Sequence, residues 1–235
     1  MSNFFENTAS QASVQTRSIL RNVYVWMTLA LTVTGIVAFA LGQNQQFVFG
    51  LFQSGAIWAV LIGQIVLVFA ISGFVMKMSP AVATVVFALY SVLMGVTLSS
   101  IFMVYEIGSI ATAFFISAGM FAGMSVYAIT TKRDLTGMGN ILFMALIGLV
   151  IASLVNFFLK SSMMDYIISF AGVVIFSLLT AYDTQKIKRL SDATGTNIVE
   201  ADYLRLSILG ALTLYLDFIN IFLFLLRLFG GSSRD

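Results

Sequence analysis

The 235-residue chain has no cysteine, no histidine and a single proline. Without cysteine there are no disulfides and no thiol nucleophiles. Without histidine the commonest general base is gone, and the two absences together remove the usual zinc ligands. Charge is scarce too. Charged residues make up 9% of the chain, against about 25% in an ordinary soluble domain. So few charges cannot clothe a water-facing surface. The net charge is only +2, and no Lys/Arg block offers a nucleic-acid surface. What the chain has instead is apolar sequence: 60% hydrophobic residues and a mean hydropathy of +1.00. Its apolar runs are long and unbroken, where a transmembrane barrel would alternate over ten-residue segments. The composition specifies an all-α polytopic membrane protein.

Hydropathy marks seven segments near the roughly 20 residues a helix needs to cross a bilayer. They run over 23–41, 56–75, 81–101, 110–130, 141–159, 166–185 and 206–228. A polar tail over 1–22 precedes them. It lacks the apolar core of a signal peptide, so the first helix is expected to stay as a span. The membrane domain then covers 23–229, and 230–235 form a short C-terminal tail. Pro80 lies in the second connection, where it breaks no span. The longest polar connection, 186–205, has room for a helical turn. Alternating sides place nine basic residues with the N-terminus (Arg17, Arg21, Lys77, Lys132, Arg133, Lys186, Lys188, Arg189 and Arg205) and three opposite (Lys160, Arg227 and Arg234). The positive-inside rule therefore puts the N-terminus in the cytoplasm and the C-terminus outside. Gly119 and Gly123 in "GMFAG" share a helix face, a spacing expected to serve close packing within the chain, with a dimer interface as the alternative. No internal repeat is evident, which weakens an inverted-repeat transporter.

Only two acids fall inside the expected spans, Asp183 in "LTAYDTQK" and Asp217 in "LYLDFIN". A charge at the membrane centre costs roughly 2.5–3.5 kcal/mol on insertion scales, so such residues normally face the protein interior. In the last helix Gly210, Thr213, Asp217 and Asn220 fall on one small-and-polar stripe, surrounded by Leu, Ile, Phe and Tyr. In the sixth, Thr180 and Asp183 share a face, with Thr184 adjacent. Both aspartates belong to the cytoplasmic half by depth, though not to the same level. Their spacing permits a pair. It equally permits two separately satisfied carboxyls.

"LGALTLYLDFINIFLFLLRLFG" and "LTAYDTQKIK" resemble the signature segments of the Bax inhibitor-1 family, also called the transmembrane BAX inhibitor motif family. "TTKRDLTGMGN" and "RNVYVWMTLALTVTG" extend the likeness over nearly the whole chain after the tail. It is nearest to the bacterial inner-membrane branch. The resemblance implies a seven-helix bundle with the last helix central, and a pH-sensitive calcium leak channel without cofactor or enzymatic activity. It implies a sensor made of one acid from each of the last two helices, at positions matching Asp183 and Asp217. The same two carboxylates would make transient contact with calcium or another cation. In a bacterial relative an arginine near the cytoplasmic end of the second helix locks the pair. Here the nearest basic residue is Lys77, which cannot form the same bidentate fork. Lys77, Thr180, Thr213 and Asn220 are the expected supporting residues. Some members carry an acid inside the second helix, where this chain has Gln64. Two carboxyls in contact in a low-dielectric site share a proton and titrate as a pair in two steps. Carboxylate oxygens also suit hard cations such as Ca²⁺.

Two other readings compete with a channel. An intramembrane aspartyl protease also pairs helix aspartates, but its second acid follows Gly-x-Gly, where Tyr215 and Leu216 stand here. A regulatory binding protein is the stronger rival. Some bacterial relatives are associated with an ATP-dependent membrane protease, and the polar tail would then be a recognition handle.

Overall fold

In the computed structural model the described residues are 2–194 and 199–230, with side chains described for 19–193 and 199–230. The tail's side chains over 1–18, and with them the expected recognition handle, lie outside that set. The elements are α1 (Ser2–Gly42), α2 (Gln45–Gln53), α3 (Ala56–Phe74) with a 3₁₀ turn over Val75–Lys77, α4 (Pro80–Leu98), the single turn α5 (Ile101–Val104), α6 (Ile107–Thr130), α7 (Met138–Leu159), α8 (Ser162–Thr194) and α9 (Glu200–Phe229). No strand occurs among the described residues.

Seven helices are long and apolar enough to cross a membrane: Ile19–Gly42, Ala56–Lys77, Pro80–Val104, Ile107–Thr130, Met138–Leu159, Ser162–Ala193 and Glu200–Phe229. Each overlaps one of the seven expected segments. The boundaries differ most around the 186–205 connection. Most of it is helix, because α8 continues to Thr194 and α9 begins at Glu200. A drop in hydropathy marks where a helix leaves the membrane, whereas the i→i−4 ladder continues into water. The first connection also holds an unexpected helix, α2, capped by the Asn44 side chain accepting the Phe47 amide at 3.0 Å. Pro80 opens α4 behind Ser79, whose hydroxyl accepts the Val82 amide at 3.3 Å. At that first position a missing N–H costs nothing.

The last helix is the most enclosed. Of its span window 72% is buried, against 17–39% in the other six. Those six keep large apolar side chains outward, such as Phe69, Phe115 and Phe157. This is the pattern of a seven-helix membrane protein whose last helix is the most enclosed.

The chain divides into two compact units, one of residues 1–104 and 187–215, the other of 105–186 and 216–235. In the first unit α1 packs on α4. The approach is closest at Gly95, where a Cβ would stand 2.7 Å from the Val37 Cβ and 2.8 Å from the Thr34 carbonyl oxygen. Thr34 donates its hydroxyl proton to the Ser91 carbonyl at 2.9 Å. The Tyr215 hydroxyl, 2.7 Å away, therefore donates to Thr34. Phe87 and Tyr90 meet the Tyr215 ring edge-on. Gln64 is buried in α3 and donates to the Thr97 hydroxyl at 2.8 Å. Near α9's start, Arg205 donates from Nε to the Met78 carbonyl at 2.7 Å and from Nη1 to Asp202 at 2.6 Å.

In the second unit α8 and α9 meet at Gly172, where a Cβ would lie 2.5 Å from the Phe224 ring. Phe176 stacks on that ring at 5.9 Å between centroids. Gly119 and Gly123 behave otherwise. Both are exposed, and a Cβ on either would meet nothing within 4 Å. The expected packing role within the chain is overturned. Buried positions of α6 are Ala113, Ser117, Phe121, Ser125 and Ala128, a face that leaves both glycines turned away.

Candidate functional site

Asp183 on α8 and Asp217 on α9 belong to the same unit. Asp217 is 4% exposed, and its Oδ2 is buried with no hydrogen-bond partner among the described residues. An unsatisfied polar atom at such depth is costly, about 1–3 kcal/mol or more for a charged group. Asp183 is half-buried. The two carboxyls lie within reach of each other's charge. The structure thus sets the two acids singled out in the sequence in one unit, within electrostatic range of each other.

The expected supporting residues are placed differently. Thr180 is fully buried on the Asp183 helix, but its hydroxyl donates to the Phe176 carbonyl at 2.9 Å. Thr213 donates to the Leu209 carbonyl at 3.1 Å, and Asn220 to the Leu216 carbonyl at 2.8 Å. Each spends a proton on its own helix, one turn back, as polar side chains in apolar helices commonly do. The Thr180 and Thr213 hydroxyls then have no proton left for a carboxylate, while Asn220 keeps a second amide proton. Thr213 and Lys77 belong to the other unit. Lys77 is exposed, with its ammonium 5.8 Å from the centroid of the Phe74 ring.

Three residues missed in the sequence lie around the pair's unit. Lys186 stands one turn after Asp183 and acts on its charge, while its ammonium sits 5.9 Å over the Tyr182 ring. The i, i+3 spacing was the available signal. Ser125 on α6, like Thr184 beside Asp183, is a buried hydroxyl without a partner among the described residues. Gln185 is the third. Its Oε1 accepts the Leu135 amide at 2.8 Å, and its Nε2 donates to the Arg133 carbonyl at 2.9 Å. The α6–α7 connection, "TTKRDLTG", is thereby fastened to α8 two residues beyond Asp183. Leu135 also packs its side chain with Ala128 and Ala181. On the other side of Asp183, Tyr182 lies against the first turn of α7, where a Cβ at Gly139 would stand 2.6 Å from its hydroxyl. The stretch of α8 carrying Asp183 is thus held at two points by residues 133–139.

Next along α9 from Asp217 the site is aromatic. Phe218 meets Phe114 at 5.4 Å and Phe121 at 5.8 Å, edge to face, and Phe222 meets Phe114 at 6.4 Å. These rings form an apolar cluster in which Phe121, Phe218 and Phe222 are buried and Phe114 is partly exposed. Among the described residues no group of three Asp, Glu, His or Cys side chains could hold a metal ion. Two carboxylates supply fewer than the six to eight oxygens of a resident Ca²⁺ site.

A family model described as "Inhibitor of apoptosis-promoting Bax1" matches residues 16–234. The inner membrane protein YbhL of Escherichia coli (strain K12) is 49% identical over 228 residues, covering 94% of this chain and 97% of YbhL. An uncharacterized protein of Borreliella burgdorferi is 46% identical over 217 residues, covering 92% and 93%. One of Deinococcus radiodurans is 43% identical over 223 residues, covering 94% and 93%.

Proposed function

Because this chain belongs to the Bax inhibitor-1 family, we propose that it is a pH-sensitive cation leak channel, with calcium as the permeant ion and the Asp183–Asp217 pair as its gate. It is a multi-pass inner-membrane protein by its seven apolar helices and its likeness to YbhL. The observation that carries the reading is Asp217: a carboxyl with one oxygen unpartnered in the core, within charge reach of a half-buried second carboxyl.

Two carboxylates so placed cannot both ionise cheaply, and the low-cost state shares one proton between them. The shared proton ties α8 to α9. Its release leaves two like charges in a medium of low dielectric, where repulsion is strong. The helices must then separate, draw in water or recruit a cation. In this reading the Phe114, Phe121, Phe218 and Phe222 cluster is the plug that a cation drawn to the two carboxylates must pass. An apolar constriction of that kind stays shut until it wets. Protonation of the pair and wetting of the plug are thus two parts of one gate. The distribution of basic residues supports a cytoplasmic N-terminus, with the half of α8 that carries Asp183 toward the same side.

Purified protein in liposomes, loaded with a calcium indicator, tests this directly. Calcium entry that depends on pH supports the channel. Liposomes that stay tight across the pH range would reject it and leave the regulatory binding protein.

A further inference from the structure

The unit that holds the aspartate pair carries a second polar feature at the other end of α8. A cavity of about 540 Å³ opens there, within the range of about 300–1,000 Å³ usual for small-ligand sites. Its charged lining is Lys160, Asp165 and Arg227, joined by Asn156 and Ser161. Asp165 precedes Asp183 by about 27 Å along the helix at 1.5 Å per residue, so this is not the aspartate site.

The position is that of lipid headgroups. α7 ends at Leu159, α8 begins at Ser162 and α9 ends at Phe229, so all three charged side chains stand at the ends of spans. Beside them Phe157, Phe158, Leu159 and Met163 are each more than 60% exposed. The cavity therefore opens beside a surface that faces acyl chains, and Tyr166, also exposed, is the residue type found at that level.

The backbone is strained there. Lys160 has φ 51°, and it is the one non-glycine with positive φ among the described residues. Glycine is the ordinary residue at such a helix end. Asn156 holds the turn: its carbonyl accepts the Lys160 amide at 2.7 Å, and its side-chain oxygen accepts the Ser161 amide at 3.1 Å. A basic residue in the last turn of α9 needs no explanation beyond the helix dipole. A lysine kept where glycine is cheaper does.

The charges are mixed. Arg227, 5.5 Å over the Phe224 ring, offers a planar fork that matches phosphate oxygens, and Lys160 adds a point charge. Asp165 would repel a bare anion, yet it would hold an ammonium. A ligand carrying both groups a few ångströms apart satisfies all three.

We propose that this cavity is a phospholipid site for a phosphoethanolamine headgroup, with the phosphate between Lys160 and Arg227 and the primary ammonium on Asp165. The test uses the full-length protein, delipidated in detergent and titrated with phosphatidylethanolamine or phosphatidylglycerol of matched chains, or with glycerophosphoethanolamine. Native mass spectrometry counts the molecules retained. The expected result is retention of phosphatidylethanolamine about tenfold above phosphatidylglycerol, and about a tenfold loss in Arg227→Gln and in Lys160→Gly, as for one charge-assisted contact each. Asp165→Asn should abolish the preference between the two lipids. Lys160→Gly controls for folding, since glycine relieves the positive φ and should leave the thermal midpoint at or above the parent's. Equal retention of both lipids by the parent, or unchanged retention in both Arg227→Gln and Lys160→Gly, overturns the site. Glycerophosphoethanolamine binding as tightly as the whole lipid would also overturn it, in favour of a soluble ligand.

Discussion

Gln185 clamps Leu135. The side-chain oxygen of the first takes the backbone amide of the second at 2.8 Å, across 50 residues of sequence. Gln185→Ala should leave that buried N–H unpaired, at a cost of about 1–3 kcal/mol. Amide exchange at Leu135 should then quicken by about tenfold or more. Gln185→Glu keeps an acceptor for Leu135 and should preserve its protection, while losing the bond to the Arg133 carbonyl. Unchanged exchange in Gln185→Ala would show that the apolar contacts of Leu135 hold the loop unaided.

If Asp183 and Asp217 share a proton, Asp183→Asn and Asp217→Asn should each flatten the pH dependence of calcium flux in liposomes. The double variant should add little, because members of one interacting unit are non-additive. Full pH dependence in each single variant, with independent effects in the double, would leave Asp217 a structural carboxyl.

Among the basic residues the effect should follow closeness to Asp183. Lys186 acts on that carboxyl, whereas Lys77 is exposed and lies over Phe74. Lys77→Ala should therefore move the midpoint of the pH response less than Lys186→Ala does, and less than loss of either acid. A Lys77→Ala protein with no pH response would reverse this order.

Glycines that look alike in sequence should respond differently. Gly95→Ala drives a methyl into Val37 and the Thr34 carbonyl, an overpacking that should cost about 1–3 kcal/mol. Gly119→Ala and Gly123→Ala point into open space and should stay within about 0.5 kcal/mol. Thermal unfolding in one detergent compares all three.

The orientation is checked by fusions. A reporter joined after Arg189 should read as cytoplasmic and one after Asp235 as external. Both reading on the same side would mean that one of the seven helices does not cross.

The seven spans were legible because hydropathy reports directly on lipid contact, and the two acids stood out because carboxylates are costly there. The polar ends of α8 and α9 were not, since a helix in water loses the hydropathy signal while keeping its hydrogen bonds. Gln185 was unreadable for a different reason. Its partner is a backbone amide 50 residues away, and a backbone group leaves no mark in side-chain chemistry. The Gly119–Gly123 spacing misled because it records which residues share a face, and not which way that face turns. Gly95, with no glycine partner at that spacing, makes the close approach.

Thr34 and Tyr215 are joined across 181 residues. A ribosome adding about 5–20 residues per second needs roughly 9–36 s to go from one to the other. Thr34 and Ser91 are separated by 57 residues, so α1 and α4 can lock much sooner. During the interval the first unit has its walls but lacks its keystone: the faces of Phe87 and Tyr90 that will grip the Tyr215 ring stand empty. A nascent chain stalled or cleaved before Tyr215 would carry that vacancy permanently. The last helix to be made thus completes the packing of the first unit.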